Sequence, residues 1–271
     1  LVAQGISGPL GQPVIVDNRA GAVPAADAVA KAPPDGYTLL VQGASLWVSG
    51  LLQKMPYDVT KDFSPVSLLS SEAFLVAVHP SLPVKSIQEL IALAKAKPGQ
   101  INYATETIGG PPHLGAELIK SMGGINMVGI AYKGSAAAVT GVLTGESDLT
   151  VVDVALLMPH VKSGRLKALA VTSAIPSALA PGIPTVSATG LPGFELVGGS
   201  GIWAPARTPE LLINRLNRDI VRFLNTAETK ERFLSAKIEV VGSSPEQFDA
   251  RIKSDIVKWT KVIKDAGIKI N

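Results

Sequence analysis

A short segment rich in threonine and glycine separates a predicted strand from a predicted helix at residues 104–123. Thr105 and Thr107 supply hydroxyl donors, while Gly109 and Gly110 allow a ligand to approach the backbone without meeting a Cβ atom. The first N–H groups of the following helix lack intrahelical partners and lie at the positive end of the helix dipole. The segment therefore predicts a binding site for a small anion such as a carboxylate, with a simple tight turn as the alternative.

Two side chains in this segment bear on that prediction. His113 falls in the first turn of the predicted helix, where it either donates to a bound carboxylate or bonds a backbone carbonyl group. Glu106 would repel an anion because it carries the same charge. It therefore either points to solvent or selects a ligand that also carries a positive group.

Two further predicted strand ends carry candidate ligand-binding residues. Lys133, Gly134 and Ser135 follow one strand, and the loop backbone, the ammonium or the hydroxyl can contact an anion. The alternative is a solvated lysine followed by a serine that caps the next helix. Asp153 ends another strand, where it either accepts a hydrogen bond from a ligand hydroxyl or amine, or caps the following helix.

The composition excludes several classes of protein. The 271-residue chain has no cysteine, so disulfides, thiolate metal sites and cysteine nucleophiles are excluded. His79 and His160 lie far from His113 in sequence, and neither a metal nor another cofactor is predicted. No motif pairs a nucleophile with a base, so the protein is predicted not to be an enzyme. A net charge of +3 and few aromatic residues argue against nucleic acid as a partner.

Apolar runs that alternate with helical patterns indicate an α/β fold. The predicted strands cover residues 13–17, 37–43, 74–80, 101–105, 127–132, 148–153 and 166–173. Ser86 and Glu89 form a predicted capping box at the start of a helix. Such alternation is typical of parallel sheets with helices on both faces, where ligands bind at the carboxyl ends of strands. The loops expected to form the site are 43–49, 104–112, 133–135 and 153–156.

Motifs along the whole chain resemble those of one family of transport receptors. They are, in order, PVIVDNRAGA, APPDGYTLL, MPYDVTKDFSPVSLL, HLGAEL, AYKGSAAAVTGVLTGESDLTVVD, MPHVKSGRLKALAVTS and IWAPARTPELLINRLN. The chain is similar in these motifs, and in their order and spacing, to the Bug family. Members of that family are the periplasmic solute receptors of tripartite tricarboxylate transporters.

The resemblance implies a type II periplasmic binding protein, in which two α/β domains joined by two crossing strands close on a ligand. Domain one would comprise residues 1–73 and 203–271, and domain two residues 74–202. The implied ligand is a small organic acid (a dicarboxylate, a tricarboxylate, an aromatic acid or an amino acid) held in an inter-domain cleft. The receptor would be a periplasmic monomer, not an enzyme, that passes its ligand to membrane permease subunits and uses no cofactor.

The resemblance also carries over individual positions. In domain two, the positions that match the family's loops are Thr105, Gly109, His113, Tyr132, Lys133 and Gly134. Thr107 stands where the family has its first glycine, and Gly110 where it has a serine, so one hydroxyl is lost and another gained. Asp153 lies one position beyond the usual aspartate. Ser45 and Trp47 fall on the domain-one loop that usually carries a serine or threonine and a histidine.

The start of the chain departs from the family pattern. The family's first strand and its glycine-rich loop are absent before Leu1, and LVAQGISGPLGQ is typical of the end of a helix. We expect the gene to encode the preceding segment, and a signal peptide there would support export. The alternative function is a ligand-sensing effector domain of a regulator, which a preceding helix-turn-helix would support.

Overall fold

The computed structural model describes residues 1–19, 22–106, 110–236, 238–265 and 267–268. The chain divides into two compact units. The first unit comprises Leu1–Ser71 and Gly199–Thr260, and the second comprises Glu72–Gly198 and Lys261–Asn271. The sequence predicts domain changes after residues 73 and 202, whereas the units change after residues 71 and 198. The end of the chain groups with the second unit.

The predicted alternation of strands and helices is confirmed. The helices are α1 Val2–Leu10, α2 Ala22–Ala30, α3 Ser45–Leu52, α4 Val59–Asp62, α5 Ile87–Ala96, α6 Pro111–Gly123, α7 Ser135–Leu143, α8 Val154–Lys162, α9 Glu210–Leu224, α10 Ala227–Ser235 and α11 Pro245–Asp265. The strands are β1 Leu40–Gly43, β2 Phe63–Leu68, β3 Ser70–Val78, β4 Asn102–Thr105, β5 Val128–Ala131, β6 Leu149–Asp153, β7 Lys167–Val171, β8 Val197–Gly198, β9 Ser200–Pro205 and β10 Glu239–Val240. None of the described helices combines the length and the apolarity needed to cross a membrane.

The first unit is built on a three-stranded sheet in which β9 lies between β1 and β2. Both outer strands run antiparallel to β9, with Leu40 opposite Trp203 and Phe63 opposite Pro205. The sequence predicts parallel sheets, and this prediction is wrong for the first unit. β1 and β2 do share a direction, but β9 returns between them in the opposite direction and makes both pairings antiparallel.

The sheet of the first unit has an aliphatic and an aromatic face, because neighbouring residues of a strand face opposite sides. On the aliphatic face, Ile202 and Ala204 pack with α1 and with α9. The apolar buried residues of α9 recur at helical spacing and are Ile213, Leu216, Ile220 and Leu224. On the aromatic face, the ring of Trp203 lies 5.8 Å from Trp47 of α3 and 4.6 Å from Phe248 of α11. Burial of each such side chain contributes about 1.5–3 kcal/mol to folding.

The predicted loop at residues 43–49 is largely helical in the structure, so this prediction is wrong. Residues from Ser45 onward form α3. Leu46, Trp47 and Val48 are all buried in the first unit. Burial of these consecutive apolar side chains outweighs the weak local signal of so short a segment, because short helices depend on tertiary packing.

The segment Pro13–Asp17 is predicted as a strand but pairs with no strand among the described residues, so this prediction is wrong for them. A β-branched sequence needs a partner strand, because β-propensity reflects packing against neighbours. A groove of about 840 Å³ in the first unit is lined by this segment and by Tyr37–Val41. Ile15 is 86% exposed and Tyr37 is 85% exposed. The groove therefore has a large exposed apolar rim.

The second unit is built on a mixed sheet. β4 lies between β5 and β6 and is parallel to both, as the sequence predicts. β3 lies between β6 and β7 and is antiparallel to both, with Phe74 opposite Asp153. Because β3 runs antiparallel to β6, Phe74 near the start of β3 lies opposite Asp153, the last residue of β6. The core on one side of this sheet includes Leu75 and Val152, and α7 contributes Ala138 to it.

Candidate ligand-binding site

Three parallel strands of the second unit end at the same edge of the sheet, and each is followed by a helix. α6, α7 and α8 follow β4, β5 and β6, respectively. The first N–H groups of each helix lack intrahelical acceptors and carry a partial positive charge. This edge therefore presents three helix N-termini, the backbone arrangement that favours a small anion.

The connection between β4 and α6 is only partly described. Thr105 ends β4, is 2% exposed, and its Oγ1 has no hydrogen-bond partner among the described residues. Gly110 is the N-cap of α6, and Pro111 occupies the first helical position, where its missing N–H costs little. Thr107 and Gly109, which the sequence predicts to contact the ligand, lie outside the described residues.

His113 is buried in the first turn of α6, and its ring centroid lies 6.2 Å from that of Tyr103. Burial lowers the pKa of His113 and outweighs the opposite effect of Glu117, so the ring is neutral at pH 7. The Tyr103 hydroxyl and the Lys120 ammonium both donate to Glu117 Oε1, each at 2.6 Å. These bonds satisfy a buried carboxylate within the protein and hold α6 on β4.

The N-terminus of α7 is shaped by Gly134 and Ser135. Gly134 has φ 94° and ψ 164°, a backbone conformation that essentially only glycine adopts. Gly134, not Ser135, is the N-cap of α7, and Ser135 Oγ donates to a carboxylate oxygen of Glu106. The alternative in which Ser135 caps α7 is therefore wrong, and its proton is engaged by Glu106. Lys133, in the same loop, is exposed.

Asp153 and Glu72 are half-buried carboxyl groups at the same edge. Asp153 occupies the N-cap position of α8, but its side chain makes no cap bond, so the capping alternative is not observed. Burial raises the pKa of Asp153, and the charge of Glu106 raises it further. Burial also raises the pKa of Glu72, with a smaller contribution from Asp153. Asp153 therefore interacts electrostatically with both Glu106 and Glu72.

The sequence-based prediction names Asp153 and Glu106 but misses Glu72. Glu72 lies two residues before the predicted strand at 74–80, and nothing in its local sequence marks it. Only the pairing of Phe74 with Asp153 brings the start of β3 to the end of β6. No group of three His, Asp or Glu side chains in the described part of the chain could hold a metal ion.

The candidate residues of the first unit lie on α3. Ser45 is exposed at its first position, whereas Trp47 is 4% exposed within the aromatic layer. Trp47 Nε1, Trp203 Nε1 and both amide atoms of Gln42 are buried without a hydrogen-bond partner among the described residues. The aromatic face therefore holds polar groups that packing alone does not satisfy. Ligand contact by Ser45 and Trp47 stays a prediction.

Known proteins resemble the chain over its whole length. A family model described as "Tripartite tricarboxylate transporter family receptor" matches residues 1–268. Protein BugT of Bordetella pertussis is 34% identical over 275 residues, which covers 100% of this chain and 84% of BugT.

Two solved structures share the fold and much of the sequence. "R. palustris Rpa4515 with adipate" is 32% identical with a TM-score of 0.77, and the match covers 99% of this chain and 91% of that one. Periplasmic binding protein BugD is 30% identical with a TM-score of 0.72, again over 99% and 91% of the two chains. These likenesses confirm the predicted fold class, the two-domain α/β fold of a type II periplasmic binding protein.

Proposed function

Because the chain belongs to the receptor family of tripartite tricarboxylate transporters, we propose that it binds a small carboxylate and delivers it to a membrane permease. The resemblance to the Bug family is confirmed by the family model and by the relatives named BugT and BugD. The observation that carries the proposal is the match of residues 1–268 to a transporter receptor. The same match favours a receptor over the effector domain of a regulator.

The edge of the second unit offers the chemistry that a carboxylate needs. Helix N-termini bind anions through backbone N–H groups, and α6 and α7 begin side by side in the fold after β4 and β5. Hydrogen bonds to a charged group contribute about 1.5–3 kcal/mol each. A micromolar affinity requires about −8 kcal/mol, which several such bonds supply.

The proposed site combines the residues of this edge with the candidates from the sequence. They are Thr105, Thr107, Gly109, Gly110, His113, Lys133, Gly134, Ser135 and Asp153 in the second unit, and Ser45 and Trp47 in the first. In this proposal Gly110 and Gly134 admit the carboxylate to the helix N-termini. His113, buried and neutral, supports α6 by packing, and Ser135 positions Glu106.

We further propose that the receptor acts as a periplasmic monomer and that the two units correspond to its two domains. It releases its ligand unchanged, without enzymatic activity, to membrane permease subunits. BugD is named a periplasmic binding protein, which supports this location. Rpa4515 is described with adipate, a dicarboxylate, which supports this class of ligand. The candidate ligands are dicarboxylates, tricarboxylates, aromatic acids and amino acids.

A ligand panel tests the proposed function directly. Thermal unfolding of the purified protein is measured with members of each of the four acid classes, and the best ligand is titrated by calorimetry. We expect at least one acid to raise the melting temperature and to bind with a dissociation constant of about 1 μM or below. Failure of every acid to stabilise or bind the protein contradicts the proposal.

Two glycines of the second unit allow a matched test of the proposed site. Gly134 and Gly164 both have positive φ, at 94° and 71°, and no atom lies within 4 Å of a Cβ added to either. Gly134→Ala disturbs the start of α7, and we expect it to weaken binding of the best acid by at least about tenfold. Gly164→Ala, beyond the end of α8, serves as the control and should bind normally. Equal affinities for the two variants would place the carboxylate elsewhere.

A further inference from the structure

Two of the three edge carboxyl groups share one face of the sheet of the second unit. The parallel register of β4 and β6 places Thr105 and Asp153 on the same face. Because Phe74 lies opposite Asp153, Glu72, two residues earlier on β3, also lies on that face. This is the face on which α6 packs, as the bond between the β4 tyrosine and the α6 glutamate shows.

The described residues supply no cation to these carboxyl groups. Among the described residues, no lysine, arginine or histidine forms an ion pair with Glu72, Glu106 or Asp153. The hydroxyl of Ser135 donates to Glu106 but carries no charge. Partial burial and mutual repulsion raise the pKa of Asp153 and of Glu72, so their ionised forms are held at a cost in free energy. A cationic group placed among them would remove this cost.

Thr105 provides a second, independent sign that a partner is missing. The side chain is 2% exposed, and its hydroxyl neither donates to nor accepts from any described residue. A buried hydroxyl without a partner is unfavourable, because it has lost its hydrogen bonds to water and gained none in return. Thr105 and Asp153 lie on the same face of the sheet at the ends of neighbouring strands, so a donor group bound at this edge lies on the side that carries both side chains.

We propose that Asp153, Glu72 and Glu106 select a ligand that carries an ammonium group in addition to its carboxylate, which makes the ligand an amino acid. The inference rests on the proposed function, because the carboxylate of the same molecule occupies the helix N-termini. An ammonium group has three donors and no acceptor, which suits carboxylate oxygens and the hydroxyl of Thr105. A dicarboxylate that places its second negative charge there is repelled.

Matched pairs of ligands test the inference. Calorimetry at neutral pH with the wild-type protein compares adipate with 6-aminohexanoate, in which a methylene that carries an ammonium replaces the second carboxylate. A second pair compares glutarate with glutamate, in which an ammonium is added at the α-carbon. We expect the amino member of at least one pair to bind at least about tenfold more tightly.

The outcomes separate this inference from the function on which it rests. If the dicarboxylate binds as tightly as the amino compound, or more tightly, in both pairs, the inference is overturned and the proposed function stands. If neither these four compounds nor any other acid binds, the proposed function falls as well. If Mg²⁺ or Ca²⁺ binds and displaces the amino compound, the carboxyl groups form a cation site and the inference is wrong.

Asp153→Asn removes the charge and keeps the shape of the side chain. We expect the preference for the amino compound to fall by about tenfold, with the affinity for the dicarboxylate unchanged or increased. Glu146→Gln, which removes an exposed carboxylate of the same unit, is the matched control and should keep the preference. An equal loss of affinity for both members of a pair in Asp153→Asn overturns the inference.

A second variant keeps the inference testable if Asp153→Asn does not fold. Glu72→Gln changes a carboxyl group at the start of β3 and leaves the connection between β6 and α8 intact. We expect a smaller loss of the amino preference, of about threefold, because Glu72 adds to the same negative field. An unchanged preference in a folded Glu72→Gln protein overturns the role of Glu72.

Discussion

Two carboxyl groups of the second unit, Glu117 and Asp153, differ in whether other residues of the protein neutralise them. Glu117 is 5% exposed and accepts hydrogen bonds from Tyr103 and Lys120, both at 2.6 Å. Asp153 lies at the edge of the same sheet and has no cationic partner among the described residues. The protein therefore neutralises the charge that it buries within α6 and leaves unneutralised the charge at the proposed site.

The difference distinguishes a structural carboxylate from one that is available to a ligand. Around Glu117, burial raises the pKa of Tyr103, and the bond to Glu117 raises it further, so the phenol keeps its proton and donates. Around Asp153, burial and the charge of Glu106 raise the pKa, a backbone hydrogen bond offsets this in part, and no cation among the described residues pairs with the carboxylate. Folding pairs Glu117 with donors from the protein itself, whereas the charge of Asp153 would be stabilised by the ammonium group of the proposed ligand.

The largest effect on stability is expected when Glu117 is replaced. Glu117→Ala leaves the Tyr103 hydroxyl unpaired and the Lys120 ammonium without its carboxylate, so the free energy of unfolding should fall by about 3 kcal/mol. Urea denaturation at neutral pH measures the change. Glu146→Ala, at an exposed position of the same unit, is the control and should change it by less than about 0.5 kcal/mol. A similarly small effect of Glu117→Ala would remove the contrast between the two carboxyl groups.

At Asp153, removal of the negative charge is expected to stabilise the protein rather than destabilise it. The pKa of Asp153 is raised above 3.8 by folding, so its stabilising effect is fully present below that pH. The effect is lost as the pH rises through the pKa of the folded state. Asp153→Asn should therefore increase the free energy of unfolding at pH 7, by less than about 1 kcal/mol because solvent screens a half-exposed group.

The pH dependence of this increase in the free energy of unfolding tests its explanation most directly. Denaturation of the wild-type and Asp153→Asn proteins between pH 3.5 and pH 8 should show curves that separate only above about pH 4. Glu146→Gln, at an exposed position of the same unit, is the control and should change the free energy of unfolding by less than about 0.5 kcal/mol. A loss of stability at pH 7 in Asp153→Asn would mean that the carboxylate is needed by the fold rather than reserved for a ligand.

The smallest effect is expected at Glu72. Its pKa is raised first by burial and then by the charge of Asp153, so Glu72→Gln should stabilise the protein at neutral pH by a few tenths of a kcal/mol. The double variant with Asp153→Asn should gain less than the sum of the single gains, because each substitution relieves the same repulsion. Strict additivity in urea denaturation would show that the two groups do not interact.

Features set by neighbouring residues were predictable from the sequence. The predicted helix after Ser86 is confirmed as α5, and Ser86 Oγ accepts from the backbone N–H of Glu89 at 3.1 Å. Glu89 Oε2 reaches back to the N–H of Lys85 at 2.7 Å, one residue before the position that a capping box implies. Thr105 and Asp153 lie at strand ends as predicted, because the period of the apolar pattern marks where each strand stops.

Features that depend on distant pairing were not predictable. The bond between Ser135 and Glu106 joins residues of two different loops, and the place of Glu72 follows from the antiparallel register of β3. The wrong prediction for Pro13–Asp17 has the same origin, because strand formation requires a partner that its own residues do not specify. The helix α3 forms through burial in an aromatic layer assembled from residues about 150–200 positions further along the chain.

The distribution of tryptophan gives the two units different spectroscopic properties. Trp47, Trp203 and Trp259 all belong to the first unit, each is at most 4% exposed, and the second unit contains no tryptophan. Selectively excited indole emission therefore reports on the first unit alone, whereas far-ultraviolet circular dichroism reports on the helices of both. Coincident denaturation curves from the two signals would show that the units unfold cooperatively, and separated curves would resolve the stability of each.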